Sequence, residues 1–486
     1  MNKPIRTMSL FCMALFLALM VNATYLQYVK AGDLDKDSRN RRVIQAAFSR
    51  ERGAILVERE PVAASVPSDD VYKYQRTYSE PFKYAPVTGF FSYYSQTGIE
   101  QSENEVLSGD DSRLFVTRLL DMLSNAEPKG GSVDLTLNRA AQDAAYDGLQ
   151  ALGSDVEGAV VAIEPNTGKI LAMVSNPTFD PNLLADHDLT KVGKAYDRLN
   201  KDKSEPLLNR GIQTTLPPGS TFKLVTAAAA IESGQYTPSS LVPGGSAFDL
   251  PDSSDTVGNW QGGSCGADQI TLTQALEVSC NVSFLTLANQ LGADRMRKQA
   301  EAFGFNQEYL DDLPLQAISR YPSDMDRPQT AMSGIGQASV TASPLQMAMV
   351  VAGIANSGIV MKPYLVNEVR APDLSSLGIT KTTELSRAIS PRTADELTQM
   401  MVSVVNNGTG GNAAIPGIDV AGKTGTAQST PSRPPYAWFV SFAPADNPQV
   451  AVAVLVAQSH TERDEIAGGA LCAPIAKAVM EAVINR

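Results

Sequence analysis

The chain has 486 residues, 43% of them hydrophobic, which is enough for two cores, and it carries a net charge of -12 with a pI near 4.9. That acidic balance argues against nucleic acid as a partner and fits a well-solvated surface. Two isolated histidines and four scattered cysteines form no ligand cluster, and no phosphate-binding glycine loop is present, so neither a metal nor a cofactor is expected.

Taken in chain order, Lys3 and Arg6 precede the apolar run Met8–Val21, which Tyr25 and Tyr28 follow as an interfacial flank. With that flank the span reaches the ~20 residues of a membrane-crossing helix, and the leading positive charge holds its front end in the cytoplasm. Residues 1–30 are therefore read as an anchor; cleavage at Val21-Asn22-Ala23, as in a signal peptide, is the alternative. From 31 to 130 the chain is polar and rich in tyrosine between Tyr72 and Tyr94, and it closes on the turn-forming stretch Asn125–Gly131, a predicted linker. Residues 131–486 read as a mixed α/β region entered through a helix at 139–149 and a strand at 159–163.

Leu216-Pro217-Pro218-Gly219 stops any preceding element, and an alanine-rich helix is predicted from Thr221 to Glu232. Ser220 then sits at a helix N-terminus, with Lys223 one turn away on the same face. A serine hydroxyl needs a base to become a nucleophile. With His187 and His460 outside any triad signature, Lys223 is the candidate, provided that burial and a second cation lower its pKa. On these residues alone, a helix-capping serine beside a solvated lysine fits equally. Ser279-Cys280-Asn281 falls between the helical patterns 273–278 and 282–288; such a break can aim Ser279 and Asn281 into a cleft, although Ser-x-Asn by itself is also a helix cap. Lys423-Thr424-Gly425-Thr426 lies on a predicted strand edge, followed by strands at 436–442 and 450–456 around the turn Asp446-Asn447-Pro448. A peptide can add to such an edge, with Lys423 and Thr424 on its carboxylate, Gly425 allowing close approach, and the amides of Ser220 and Thr426 forming an oxyanion hole.

In this order the three motifs resemble those of class B penicillin-binding proteins, the single-pass peptidoglycan D,D-transpeptidases, in the actinobacterial penicillin-binding protein A layout. Asn40-Arg41-Arg42, Arg52-Gly53, Gly98-Ile99-Glu100 and Leu107-Ser108-Gly109 resemble the family's interlocking N-terminal motifs, and Asn209-Arg210, Gly336-Gln337 and Gly408-Thr409-Gly410 fit its catalytic part. One departure is the acid expected just after Arg52-Gly53, which is displaced to Glu58 and leaves the local ion-pair pattern open.

The resemblance implies an α/β (α+β) transpeptidase fold with an antiparallel sheet flanked by helices at 131–486, a mostly β pedestal of dimerisation type at 31–130, and a membrane helix at 1–30. It implies Ser220 as nucleophile, Lys223 as base, Ser279 as proton carrier, and Asn281, Lys423, Thr424, Gly425 and Thr426 as binders of stem peptide or β-lactam. The expected partners are peptidoglycan stem peptides, β-lactam antibiotics, the plasma membrane through one helix, and a separate integral-membrane glycan polymerase, because no polymerase domain fits before residue 31. A serine β-lactamase is the rival, and its Glu-x-x-Leu-Asn motif is matched at Glu205–Asn209; that match precedes Ser220, on the wrong side of the nucleophile. A non-catalytic sensor is disfavoured by the short stretch before the anchor.

Cys265, Cys280 and Cys472 fall outside the membrane in this reading, where disulfides persist. A Cys265–Cys280 bond is expected to hold Ser279 and Asn281 in register, against the alternative of two small unbonded residues. Cys12 in the anchor and Cys472 near the last helix (474–484) are expected free.

Overall fold

The computed structural model describes residues 2–30, 48–114, 129–260, 262–427, 433–463 and 466–485. The expected motif Asn40-Arg41-Arg42 and most of the linker at 125–131 lie outside them. Two main sheets use, in chain order, β1 (Ile55–Val57), β2 (Glu60–Pro67), β3 (Tyr74–Tyr78), β4 (Ser132–Leu135), β5 (Glu157–Ile163), β6 (Ile170–Asn176), β7 (Val366–Arg370), β8 (Ser376–Ile379), β9 (Ala421–Ala427), β10 (Tyr436–Ala443) and β11 (Val450–Gln458). The helices that matter here are α1 (Asn2–Thr24), α2 (Arg139–Gln150), α3 (Lys223–Glu232), α4 (Leu272–Glu277), α5 (Asn281–Leu291), α6 (Pro344–Ala355), α7 (Pro391–Asn406) and α8 (Ala473–Ile484).

The five-stranded sheet runs β9-β10-β11-β5-β6, antiparallel throughout. Successive side chains in a strand point to opposite faces. On β10, Ala437 and Phe439 join the core beneath α2 and α8, whereas Trp438, Val440 and Phe442 join the core that holds α3 and α6. Every residue of β10 is buried, so its sequence reads as one apolar run rather than an alternation. β9 is the outermost strand, which leaves its far edge facing the turn that carries Ser220.

The second sheet runs β8-β7-β4-β1-β2-β3. It does not stop at the expected boundary at 130: β4, β7 and β8 come from the later part of the chain, and β1 pairs in parallel with β4. The ion-pair pattern that the displacement to Glu58 left open is filled by Glu100, which pairs with Arg52. Glu58 and Arg59 form the two-residue turn between β1 and β2, both with positive φ (52° and 70°), a hairpin geometry that turns Glu58 out to the surface. Glu100 instead lies fully buried between Arg52 Nε and Arg76 Nε, each 2.6 Å away, and accepts from the Tyr78 hydroxyl at 3.0 Å. Burial raises this carboxyl, but the two guanidiniums outweigh it and hold the group below its ordinary range.

The segment Lys3–Val29, 27 residues with no part buried against the protein, is long and apolar enough to cross a membrane.

Candidate active site

Ser220 sits in a single 3-10 turn, Gly219–Phe222, and the α-helix begins only at Lys223, slightly later than its composition predicts. The prolines at 217 and 218 dictate this start, because the chain cannot enter a helix before them. The turn is wedged between two neighbours. A Cβ on Gly219, itself at φ +55°, would lie 2.9 Å from Thr426 O, and one on Gly336, at φ +69°, would lie 2.3 Å from Gly219 O. Both positions demand glycine. The Trp438 indole donates to Pro217 O at 3.0 Å and ties the turn to β10.

Behind the turn, Lys223 and Lys423 are both fully buried. The Lys223 ammonium donates to Ser279 O at 2.6 Å, Asn281 Oδ1 at 2.8 Å and Ser279 Oγ at 3.2 Å, and stands 5.5 Å from the Phe284 ring centre. Lys423 Nζ donates to the same Ser279 Oγ at 2.9 Å and to Thr424 O at 3.0 Å. One hydroxyl therefore joins two amines; with one hydrogen and two lone pairs it can accept from one while donating to the other. Burial lowers the Lys223 pKa well below its usual range, and the neighbouring Lys423 charge lowers it further. Lys423 falls to about 7 through burial. An amine in this state can take a proton near neutral pH, which an exposed lysine cannot.

The break between α4 and α5 forms as its sequence predicts. Ser279 adopts φ +59°, a left-handed conformation that costs a non-glycine residue energy and turns both its carbonyl and its hydroxyl toward Lys223. The Cys265–Cys280 bond is present, with Cα atoms 5.8 Å apart, and fastens the 244–268 loop to this break. Cys472 is free and buried, just ahead of α8.

The expected residues thus gather in one place, with two differences. Among the described residues, the Ser220 hydroxyl has no hydrogen-bond partner, because all three Lys223 contacts run to Ser279 and Asn281. The Asn281 amide, expected to face substrate, instead donates to Gly258 O at 3.1 Å. Sequence reasoning also missed three contributors. Thr409 bonds the Thr424 hydroxyl at 2.7 Å, Trp438 anchors the Ser220 turn, and Asn259 contacts the start of α5. Thr409 was visible only as part of a glycine-rich turn, and neither Trp438 nor Asn259 carries a sequence signal for its role. Glu205, the glutamate of the rival motif, lines a cavity of about 490 Å³ with Pro86 and Gln101 of the pedestal; Ser220, Lys223, Ser279 and Lys423 take no part in that lining.

Comparison with known proteins agrees with this architecture. Residues 158–481 match the penicillin-binding protein transpeptidase domain, and residues 52–133 match the penicillin-binding protein A dimerisation domain. The chain is 44% identical over 492 residues to the peptidoglycan D,D-transpeptidase PbpA of Mycolicibacterium smegmatis, covering all of this chain and 99% of that protein. It is 43% identical over 497 residues to the PbpA of Mycobacterium tuberculosis, again over all of this chain and 99% of that protein. The structure of penicillin-binding protein A from M. tuberculosis as a ceftriaxone acyl-enzyme superposes with a TM-score of 0.86 at 41% identity, over 90% of this chain and all of that one. The chain belongs to the penicillin-binding protein transpeptidase family.

Proposed function

We propose that the protein is a peptidoglycan D,D-transpeptidase that works through a serine acyl-enzyme. The observation that carries this reading is the buried Lys223–Ser279–Lys423 chain of contacts directly behind the Ser220 turn. The Ser220 hydroxyl attacks the carbonyl carbon between the two terminal D-alanines of a stem peptide, and its proton passes to the neutral Lys223 amine. The tetrahedral oxyanion is held by the amides of Ser220 and Thr426. Collapse breaks the C–N bond; the leaving D-alanine amine takes a proton from Lys223 through the Ser279 hydroxyl. The ester left on Ser220 is then attacked by an amine of a neighbouring stem, whose proton returns by the same route and restores the serine. For Ser220 to reach Lys223, one of the three contacts of the resting ammonium must give way, and the loss of its proton weakens all three.

Lys423, Thr424, Gly425 and Thr426 form the binding edge, with Asn281 beside it at the start of α5, its amide on Gly258 O: the substrate lies along β9, and its terminal carboxylate meets Lys423 and the Thr424 hydroxyl. A β-lactam, which mimics the D-alanyl-D-alanine end, acylates the same serine. Residues 1–30 anchor the chain with the N-terminus cytoplasmic, 31–130 form the pedestal and 131–486 the catalytic domain, outside the plasma membrane. A separate integral-membrane polymerase supplies the glycan strands.

The test is intact-mass spectrometry of the full-length protein in detergent with benzylpenicillin, beside Ser220→Ala. A stoichiometric, long-lived adduct on the wild type alone is expected. Rapid hydrolysis of penicillin without a surviving adduct would mean a β-lactamase, and neither adduct nor hydrolysis would sink the acyl-enzyme reading.

A further inference from the structure

Helix α5 begins at Asn281, and the first amides of a helix have no partner within it. Serine, threonine, asparagine or aspartate in the capping position normally accepts from them. Here that position is Cys280, whose sulfur is committed to Cys265 and makes no capping bond. The cap comes instead from Asn259, about twenty residues upstream. Its Oδ1 accepts from Asn281 N at 2.9 Å and from Val282 N at 3.2 Å. Its Nδ2 donates to Gly245 O at 2.8 Å and to Gly263 O at 2.9 Å, so all of its hydrogen-bonding capacity on this side is engaged. The residue just before it supplies the carbonyl, Gly258 O, that holds the Asn281 amide at 3.1 Å. That bond orients Asn281 Oδ1 toward Lys223, 2.8 Å away.

We propose that Asn259 is a positioning residue for the acyl-transfer reaction: it caps α5 from a distant loop, sets Asn281 and, through it, the Lys223 amine. The inference rests on the reading of Ser220 and Lys223 given above. Asn259 touches neither Ser220 nor Lys223 in the described contacts, so its effect passes through Asn281. The disulfide and Asn259 divide the task. The covalent bond limits how far the 244–268 loop can drift, and the amide sets the angle at which α5 leaves the break at Ser279.

The charged group set against Lys223 is Lys423 on β9, and Ser279, Asn281 and the Phe284 ring complete its surroundings. A carboxylate at position 259 would still accept from the α5 amides, where negative charge is favoured, but its second oxygen could not donate to Gly245 O and Gly263 O. It would also favour the charged form of Lys223. Two variants therefore separate a positioning role from a merely structural one. In the full-length protein in detergent, the rate of Ser220 acylation by benzylpenicillin is measured against pH for wild type, Asn259→Ala and Asn259→Asp, with the Cys265–Cys280 bond checked by mass. Asn259→Ala is expected to acylate about tenfold more slowly, the scale of a lost cap. Asn259→Asp is expected to keep the cap but lose the two Nδ2 bonds, so it recovers only part of that rate at high pH while its acid limb moves to higher pH.

Acylation by Asn259→Ala within twofold of wild type at every pH would overturn the inference. So would an aspartate variant as slow as alanine with an unmoved limb, which would reduce Asn259 to loop packing. If the alanine variant does not fold, the limb of the aspartate variant decides alone. A wild-type protein with no Ser220-dependent adduct would overturn the proposed function, and this inference with it, whereas normal wild-type acylation with an indifferent Asn259→Ala removes only the inference.

Discussion

Lys423 is wholly buried and bonded to Ser279, yet no carboxylate is paired with it among the described residues. A buried amine of this kind costs stability while it is protonated. Its pKa falls from 10.5 unfolded to about 7 folded, so between those values the unfolded chain holds a proton that the native protein lacks. Stability must rise with pH through that window. Replacing the amine with an apolar chain of similar length, Lys423→Met, should therefore stabilise the protein at pH 6 by on the order of a few kcal/mol. The advantage should fade toward pH 10, and thermal melts across pH would read it directly. The same change removes the like charge beside Lys223, so the acid limb of acylation should move to higher pH while the maximal rate drops. A variant neither more stable at low pH nor shifted in its limb would contradict this account of the two lysines.

At the scale of elements, the site is where three pieces meet: the turn before α3, the break between α4 and α5, and the edge strand β9. The first two are irregular at the point of contact, whereas β9 is a regular strand. The turn depends on Gly336, whose backbone lies so close to Gly219 that a methyl group has no room. Gly336→Ala should push the nucleophile turn away from β9. The left-handed backbone there costs about 1–2 kcal/mol for alanine, and a shift approaching 1 Å at the reacting serine costs on the order of 10²-fold in rate. Acylation kinetics with a melting curve would show both. A folded Gly336→Ala protein that acylates at the wild-type rate would mean the turn is held by other contacts.

For the molecule as a whole, the joint between the region matching the dimerisation domain (52–133) and that matching the transpeptidase domain (158–481) is built from shared strands and buried polar groups. Tyr78 exchanges backbone bonds with the Asn182 side chain, at 2.9 and 3.1 Å, and Asn209 Nδ2 reaches Pro86 O at 2.8 Å. Within the pedestal, Glu100 compensates two buried arginines at once. Breaking a buried ion pair from one side strands a charge and costs about 3–5 kcal/mol, so Glu100→Gln should lower the melting temperature well beyond an ordinary surface change. Because the folded carboxyl lies below the unfolded value of 4.5, this stabilisation is complete above that pH and disappears as pH falls through the folded value. An acid titration of stability should thus show a loss in the wild type that Glu100→Gln lacks; parallel curves would refute the assignment.

Much of this protein was determined by local sequence. Pro217-Pro218 before an alanine-rich run confines the helix start to the few residues that follow, because proline acts through its own backbone, although the α-helix itself begins at Lys223. The runs at 436–442 and 450–456 form adjacent antiparallel strands, since a short turn leaves them few other pairings. The pairing of Cys265 with Cys280, and of each catalytic motif with its element, was legible for the same reason: the residues involved are near one another in the chain or share one element. Tertiary structure alone decided the rest. The partner of Arg52 is Glu100 rather than Glu58, the resting contacts of Lys223 run to Ser279 and Asn281, and Asn259 caps a helix that begins twenty-two residues later. Strands from 132–135 and 366–379 complete a sheet begun near residue 55. These contacts join residues far apart in the chain, and which distant groups meet depends on how whole elements pack rather than on any local preference.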